Sequence, residues 1–216
     1  MGTIERRERE KEQRRNDIID AAERVFFSKG ISAATMDDVA EEAELSKGTL
    51  YLYFPGKEAL YLAIHLRGLS ILLNMFEEAI HTAGTGLDKI GAIGMAYYDY
   101  FKKYPNYFNA LIYYESRDIE DHDQEDSIAH QCETVGKGVI GLIVSCLQEG
   151  IEDGSIRSEI EPLKTAITLW GQSLGLIQLI SVKGDLLSDQ FQLNADELMQ
   201  YAYDIMNKSL RTDKTE

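Results

Sequence analysis

An all-α fold follows from three features of this 216-residue sequence. Apolar residues recur at helical spacing, no stretch alternates like a half-buried strand, and the only prolines are Pro55, Pro105 and Pro162. Each proline sits between periodic segments, where it can end one helix or open the next. About nine helices are predicted, near residues 5–29, 36–43, 47–53, 57–82, 87–103, 105–117, 125–152, 162–183 and 194–211.

The first helix places Ile18, Ile19, Ala22, Val25 and Phe26 on one face. It stops at Ser28-Lys29-Gly30, where Gly30 suits the left-handed position after a helix and Ile31 supplies the hydrophobic contact beyond it. Thr35 caps the second helix, and Asp38 three residues on forms a capping box with a shorter acid than usual. Val39, Ala40 and Ala43 face inward. Ser46 caps a third helix that Pro55-Gly56 brings to an end. Seven residues cannot sustain a helix in water, so this helix is held by its neighbours. Two short helices joined by a tight turn and backed by a longer one make a helix-turn-helix.

Composition bounds the partners. The chain carries 22 Lys and Arg against 37 Asp and Glu, a net charge of −15, which argues against broad, nonspecific nucleic-acid binding. The acidity is uneven: residues 1–56 hold 9 basic and 12 acidic side chains, residues 57–216 hold 13 and 25. If DNA is the partner, contact is confined to the N-terminal part. No uninterrupted apolar run approaches the ~18 residues of a membrane span. The N-terminal Met-Gly-Thr-Ile-Glu-Arg-Arg is charged where a secretion signal would be apolar. A soluble, cytoplasmic protein without a membrane partner is expected. Cys132 and Cys146 share a predicted helix; 14 residues at ~1.5 Å each separate them by roughly 21 Å, too far for a disulfide. They read as small buried hydrophobes.

The stretch ATMDDVAEEAELSKGTLYLYFPGKEALY, residues 34–61, resembles the DNA-binding signature of the TetR/AcrR family of bacterial repressors, over about residues 14–65. One departure is Glu44, which stands in the turn where that family usually has glycine. A left-handed conformation there costs a non-glycine residue on the order of 1 kcal/mol. The resemblance implies an N-terminal three-helix DNA-binding domain, residues 1–56 with the helix from 57 as connector, followed by a ligand-binding and dimerisation domain, residues 57–216. It also implies that the family's DNA contacts fall at Thr35, Ser46, Lys47, Gly48, Thr49, Tyr51, Leu52, Tyr53 and Lys57.

The chemistry of these side chains agrees. Backbone N–H groups beyond Ser46 form a partly positive end suited to phosphate. Lys47 adds a flexible charge for phosphate or a guanine edge, and Gly48 lets the backbone come close to the groove floor. Thr49 offers a hydroxyl and a methyl to a base edge. Tyr51 and Tyr53 direct hydroxyls to flanking phosphates, and Leu52 is an apolar residue at a groove-facing position. Leu50 and Phe54, four apart, hold the helix to its neighbours. Tyr53 also has a plain reading as a core residue beside Phe54. The arm Glu-Arg-Arg-Glu-Arg-Glu-Lys-Glu-Gln-Arg-Arg, residues 5–15, reads first as a solvated helix face with i,i+4 pairs; the other reading is a minor-groove role for Arg6, Arg7 or Arg9.

Beyond residue 57 the helices lengthen. Seven tyrosines fall within residues 97–114, more polar-tipped bulk than a plain core needs. They suggest a cavity for a small, mostly apolar or aromatic effector, lined by Tyr97, Phe101, Tyr104, Phe108, Leu111, Tyr114, Cys132, Val135, Val139 and Trp170. The same stripe also reads as ordinary core. Gly171 and Gly175 permit close helix packing, and Leu198, Tyr201, Ala202 and Ile205 make an apolar stripe. As in the resembled family, these six would form a four-helix homodimer interface, setting two reading helices in major grooves one turn apart, ~34–36 Å. His122, Asp126 and His130 share a helical face but lack a further ligand, so no metal is expected. No nucleophile–base arrangement, phosphate loop or dinucleotide fingerprint is present, and neither a cofactor nor catalysis is expected.

The expected function is a ligand-responsive transcriptional regulator, a repressor that binds a palindromic double-stranded DNA operator as a dimer and is released by a small-molecule effector. The alternatives are a helical ligand-binding protein with a vestigial DNA head, an enzyme on a helical scaffold, and an activator.

Overall fold

The computed structural model describes residues 2–115 and 127–212 and, among these, is built from nine α-helices. They are α1 (Thr3–Lys29), α2 (Met36–Glu42), α3 (Lys47–Tyr53), α4 (Lys57–His81), α5 (Gly86–Lys103), α6 (Pro105–Glu115), α7 (Ile128–Glu152), α8 (Pro162–Phe191) and α9 (Ala195–Leu210). Extended pairing among the described residues is confined to an isolated bridge between Ile156 and Arg211. The chain forms two compact units, one from Met1–Leu69 and Asn106–Glu133, the other from Ser70–Pro105 and Thr134–Glu216.

The first unit is built around α1. Ile18, Ile19, Ala22, Val25 and Phe26 are buried with Val39 and Ala40 of α2, Leu50 of α3, Phe54, and Leu60 and Ile64 of α4. Ala43, expected to face inward, is half-buried, because it is the C-cap of α2 and the chain turns away there. Gly30 ends α1 with its N–H donating to the Phe26 carbonyl. Its φ is +77° but ψ is 147°, a positive-φ extended conformation in place of the expected left-handed helical one, which only glycine enters freely. Thr35 and Asp38 complete the capping box on α2, and Ser46 Oγ accepts the Thr49 N–H on α3. Polar links lock α6 to this unit. Tyr107 Oη donates to Glu23 Oε1 of α1 at 2.6 Å, and Arg67 of α4 pairs with Asp20 at 2.7 Å and Glu23 at 2.9 Å. Tyr61 Oη donates to the Ala110 carbonyl, and the Phe27 and Tyr107 rings meet edge to face at 5.4 Å.

In the second unit close helix approach is set by missing side chains. A Cβ on Gly86 would lie 2.1 Å from Gly150 N, and one on Gly94 would lie 2.8 Å from the Tyr203 ring. Tyr203 fills the second space and donates its hydroxyl to the Gly94 carbonyl at 2.5 Å. Asp153 Oδ2 and Ser155 Oγ accept the Gly86 and Leu87 N–H groups, so a turn after α7 caps the N-terminus of α5. Helix α8 runs beyond its expected end near 183. It kinks at Lys183 (φ −125°, ψ 15°) and continues to Phe191, stopping where Gln192 takes φ 55°. The chain therefore bends at Lys183 instead of ending the helix there.

Helices α4, α7 and α8 each hold a window long and apolar enough by composition to cross a membrane. This departs from the sequence expectation because the windows tolerate isolated charges. One such charge is Arg67, paired with Asp20 and Glu23 in the first unit's polar network.

Candidate nucleic-acid interface

Helix α3 is held by two side chains and presents the rest. Leu50 and Phe54 have no exposed surface, the Arg15 guanidinium covers the Phe54 ring at 5.1 Å, and the intervening residues turn outward. Leu52 is 84% exposed and Tyr51 50% exposed. Leu52 contributes nothing to the core of its own unit and is open to a partner. Tyr53 is half-buried against the first unit's core. Thr35, Ser46, Lys47 and Gly48 are exposed; Thr49 and Lys57 are half-buried.

Several of these groups already have partners. Lys47 Nζ lies 2.5 Å from Asp37 of α2, with both side chains more than 60% exposed. An ion pair so open is worth little and gives way readily to a phosphate. Lys57 Nζ donates to the Ala34 carbonyl at 3.1 Å, tying the start of α4 to the residue before Thr35. Thr35 Oγ1 donates to Asp38 and accepts its N–H. The Lys29 ammonium, which donates to Asp38, and then these Thr35 bonds hold the Asp38 carboxyl at about 2, well below the usual carboxylate range. The turn between α2 and α3 bends at Glu44, whose φ of 54° is left-handed. Its N–H donates to the Glu41 carbonyl, and that of Leu45 to Ala40. A Cβ added at Gly48 would meet nothing closer than Ser46 Oγ at 3.9 Å. The fold therefore does not require glycine there.

The residues expected to line an effector site divide between the units. Phe108, Leu111 and Cys132 are buried in the first, and burial pushes the Cys132 thiol up to about 12. In the second, Tyr97 and Val139 are buried, Phe101, Val135 and Trp170 half-buried, and Tyr104 exposed. The side chain of Tyr114 lies outside the described ones. Of the residues expected at a dimer interface, Gly171, Gly175, Tyr201 and Ile205 are exposed, and Leu198 and Ala202 half-buried. Sequence reading missed four neighbours of this patch. Leu163, Ile167, Leu179 and Val182 are exposed on α8, and with Gly171 and Gly175 they recur every three or four residues, the spacing of one helical face. That periodicity was available in the sequence. Of the candidate metal face, His122 and Asp126 lie outside the described residues; the His130 N–H donates to Ser127 Oγ at the start of α7.

Comparison with known proteins agrees with this geometry. Residues 18–64, from the buried Ile18 through α3 into α4, match the family described as bacterial regulatory proteins, tetR family. A similar curated protein is the HTH-type transcriptional repressor KstR2 of Mycolicibacterium smegmatis, 28% identical over 149 residues, 68% of this chain and 70% of the other. Among solved structures, a protein of unknown function from Rhodococcus sp. RHA1 superposes with a TM-score of 0.75 at 19% identity, covering 92% of this chain and 95% of that one. The FadR transcriptional regulator of Bacillus subtilis, solved in complex with stearoyl-CoA, superposes with a TM-score of 0.66 at 18% identity, covering 90% and 98%. Residues 18–64 are thus a tetR-family regulatory domain, and the chain is a DNA-binding transcriptional regulator.

Proposed function

We propose that this regulator binds a palindromic DNA operator as a homodimer, chiefly to repress transcription, and releases it when a small, mostly apolar effector binds. The observation that carries the reading is the disposition of α3: Leu50 and Phe54 wholly buried, Leu52 and Tyr51 outward, and Lys47 held only by an exposed ion pair. Lys47 and the N-terminal N–H groups suit phosphate, Thr49 and Leu52 suit base edges and thymine methyls, and Tyr51 suits a flanking phosphate. Residues 1–56 read DNA, α4 connects, and residues 57–216 carry the effector and dimer surfaces.

The exposed apolar stripe on α8 and α9 supports dimerisation. A stripe of this length, with Gly171 and Gly175 having open space where a Cβ would stand, suits a second copy packed closely in a four-helix contact. Dimerisation sets two reading helices about 34–36 Å apart. Within the second unit the effector site would draw on Tyr97, Phe101, Tyr104, Val135, Val139 and Trp170; Phe108, Leu111 and Cys132 are the candidates within the first. Because a similar fold was solved with stearoyl-CoA, long-chain acyl-CoA thioesters head the panel to test. The protein acts by binding in the cytoplasm and catalyses no reaction.

The test starts from a duplex selected by the full-length protein from a random pool. Lys47→Ala and Tyr51→Phe each weaken binding to that duplex by about tenfold, the worth of one phosphate contact, without altering the far-UV spectrum. Unchanged affinity in both variants would remove α3 from the interface.

A further inference from the structure

Helix α2 is an acidic element inside a DNA-binding head. Four of its seven residues, Asp37, Asp38, Glu41 and Glu42, are acids, and three of them hold a cation of a neighbouring helix. Asp38 meets Lys29 of α1 at 2.7 Å, Glu42 meets Arg24 of α1 at 2.5 Å, and Asp37 meets Lys47 of α3 at 2.5 Å. The first two pairs join α2 to α1, and Asp38 also closes the capping box on Thr35. The third differs in kind. Lys47 carries the one charge of α3 and lies on the face proposed to meet DNA. When Lys47 turns to a phosphate, the Asp37 carboxylate loses that partner and stays beside the duplex, with 61% of its side chain exposed. A bare carboxylate among phosphates is repelled, and an acceptor left unpaired at an interface costs affinity. Phosphate oxygens, guanine N7 and O6 and thymine O4 are all acceptors. The major groove offers donors only at the amino groups of cytosine and adenine. Adenine's amino group stands between two acceptors, its own N7 and the paired thymine O4, which repel a carboxylate from both sides. Cytosine's amino group has an acceptor on one side alone.

We propose that Asp37 is a specificity-determining residue, whose carboxylate accepts from the N4 amino group of a cytosine in each half-site once Lys47 has left it for phosphate. The inference deepens the reading of DNA by α3 and rests on it. Lys47 supplies the same attraction to every duplex, because phosphates carry no sequence. Asp37 makes that attraction conditional. A duplex with cytosine in reach gives back the partner that Asp37 loses, and any other leaves the carboxylate unpaired. On those other duplexes Asp37 competes for Lys47 and repels the backbone, so it lowers nonspecific affinity. The exchange turns a contact that is blind to sequence into one that depends on a single base pair.

The experiment replaces each base pair of the selected duplex in turn, in both half-sites, and measures the affinity of the full-length wild type, Asp37→Ala and Asp37→Asn. At one C·G position the wild type loses about tenfold per half-site, whereas Asp37→Ala loses less than about twofold there and binds a scrambled duplex more tightly than the wild type does. Asp37→Asn shifts the preference at that position toward adenine, whose N6 and N7 an amide meets together. If Asp37→Ala keeps the wild-type preference at every position, or gains affinity for all duplexes by one common factor, Asp37 reads no base and the proposal falls with the role of α3 intact. An Asp37-dependent preference for adenine in the wild type overturns it as well. If the wild type enriches no duplex, the DNA-reading role of α3 fails first and the assignment of Asp37 fails with it. The Asp37 side chain is exposed, and circular dichroism checks that both variants remain helical.

Discussion

Glu44 and His65 each hold a conformation or a charge state that the isolated residue would avoid. Glu44 sits at φ 54° in the turn before α3, where its Cβ crowds the following carbonyl at a cost of about 1 kcal/mol. Glu44→Gly is expected to stabilise the protein by about that amount, seen as a higher urea midpoint at unchanged slope. No gain would mean that local hydrogen bonds already offset the strain. His65 on α4 is 3% exposed, and burial lowers its pKa from 6.5 to about 4. The folded state thus resists the charged form. Above pH 6.5 both folded and unfolded states are neutral and the residue is silent. As pH falls below 6.5 the unfolded chain takes up a proton that the folded chain refuses until about pH 4, so stability declines across that window by about 3 kcal/mol. His65→Leu should flatten the decline. A variant profile that still falls equally would assign the loss to other groups.

At the scale of the element, α3 and α8 show opposite uses of apolar residues. A seven-residue helix survives because Leu50 and Phe54 anchor it from one face, leaving the other for a partner. Helix α8 is thirty residues long and leaves Leu163, Ile167, Leu179 and Val182 uncovered within the subunit. A Cβ at Gly175 would meet nothing within 4 Å, so Gly175→Leu is compatible with the folded protomer but obstructs a second α8. The expected result is a monomer by sedimentation, with helicity retained and operator affinity greatly reduced. A variant that stays dimeric would place the interface elsewhere.

Across the whole molecule, α4 passes from one compact unit into the other between Leu69 and Ser70, and α6, within the first unit, bears on both proposed roles. Its Phe108 and Leu111 belong to the proposed effector lining, while its Tyr107 holds Glu23 of α1 through a charge-assisted bond at 2.6 Å. The proposed coupling is a population shift, in which effector and operator favour different arrangements and each weakens the other by the same factor. Tyr107→Phe removes the bond between α6 and α1. It is expected to cut the effect of a bound effector on operator affinity by about tenfold, in keeping with a charged hydrogen bond, while leaving effector binding itself unchanged. An unaltered coupling factor would remove Tyr107 from the path.

The sequence by itself determined the helical class, most helix starts and the anchors of the reading helix. Thr35, Asp38 and Ser46 cap through bonds to residues three apart, and Leu50 and Phe54 are spaced to share a face. Such interactions are complete within a few residues, so they can be read from the chain alone. The tertiary structure decided which apolar faces stay open. Val182 is exposed while Ile177 and Ile180 beside it are buried, and Tyr53 is half-buried while its neighbour Leu52 is open. It also decided that α8 would bend at Lys183 instead of ending there, and that Gly86 would lie against Gly150. Those outcomes depend on residues tens of positions away, and the local pattern of a helix is the same whether its apolar side meets its own core or a second molecule.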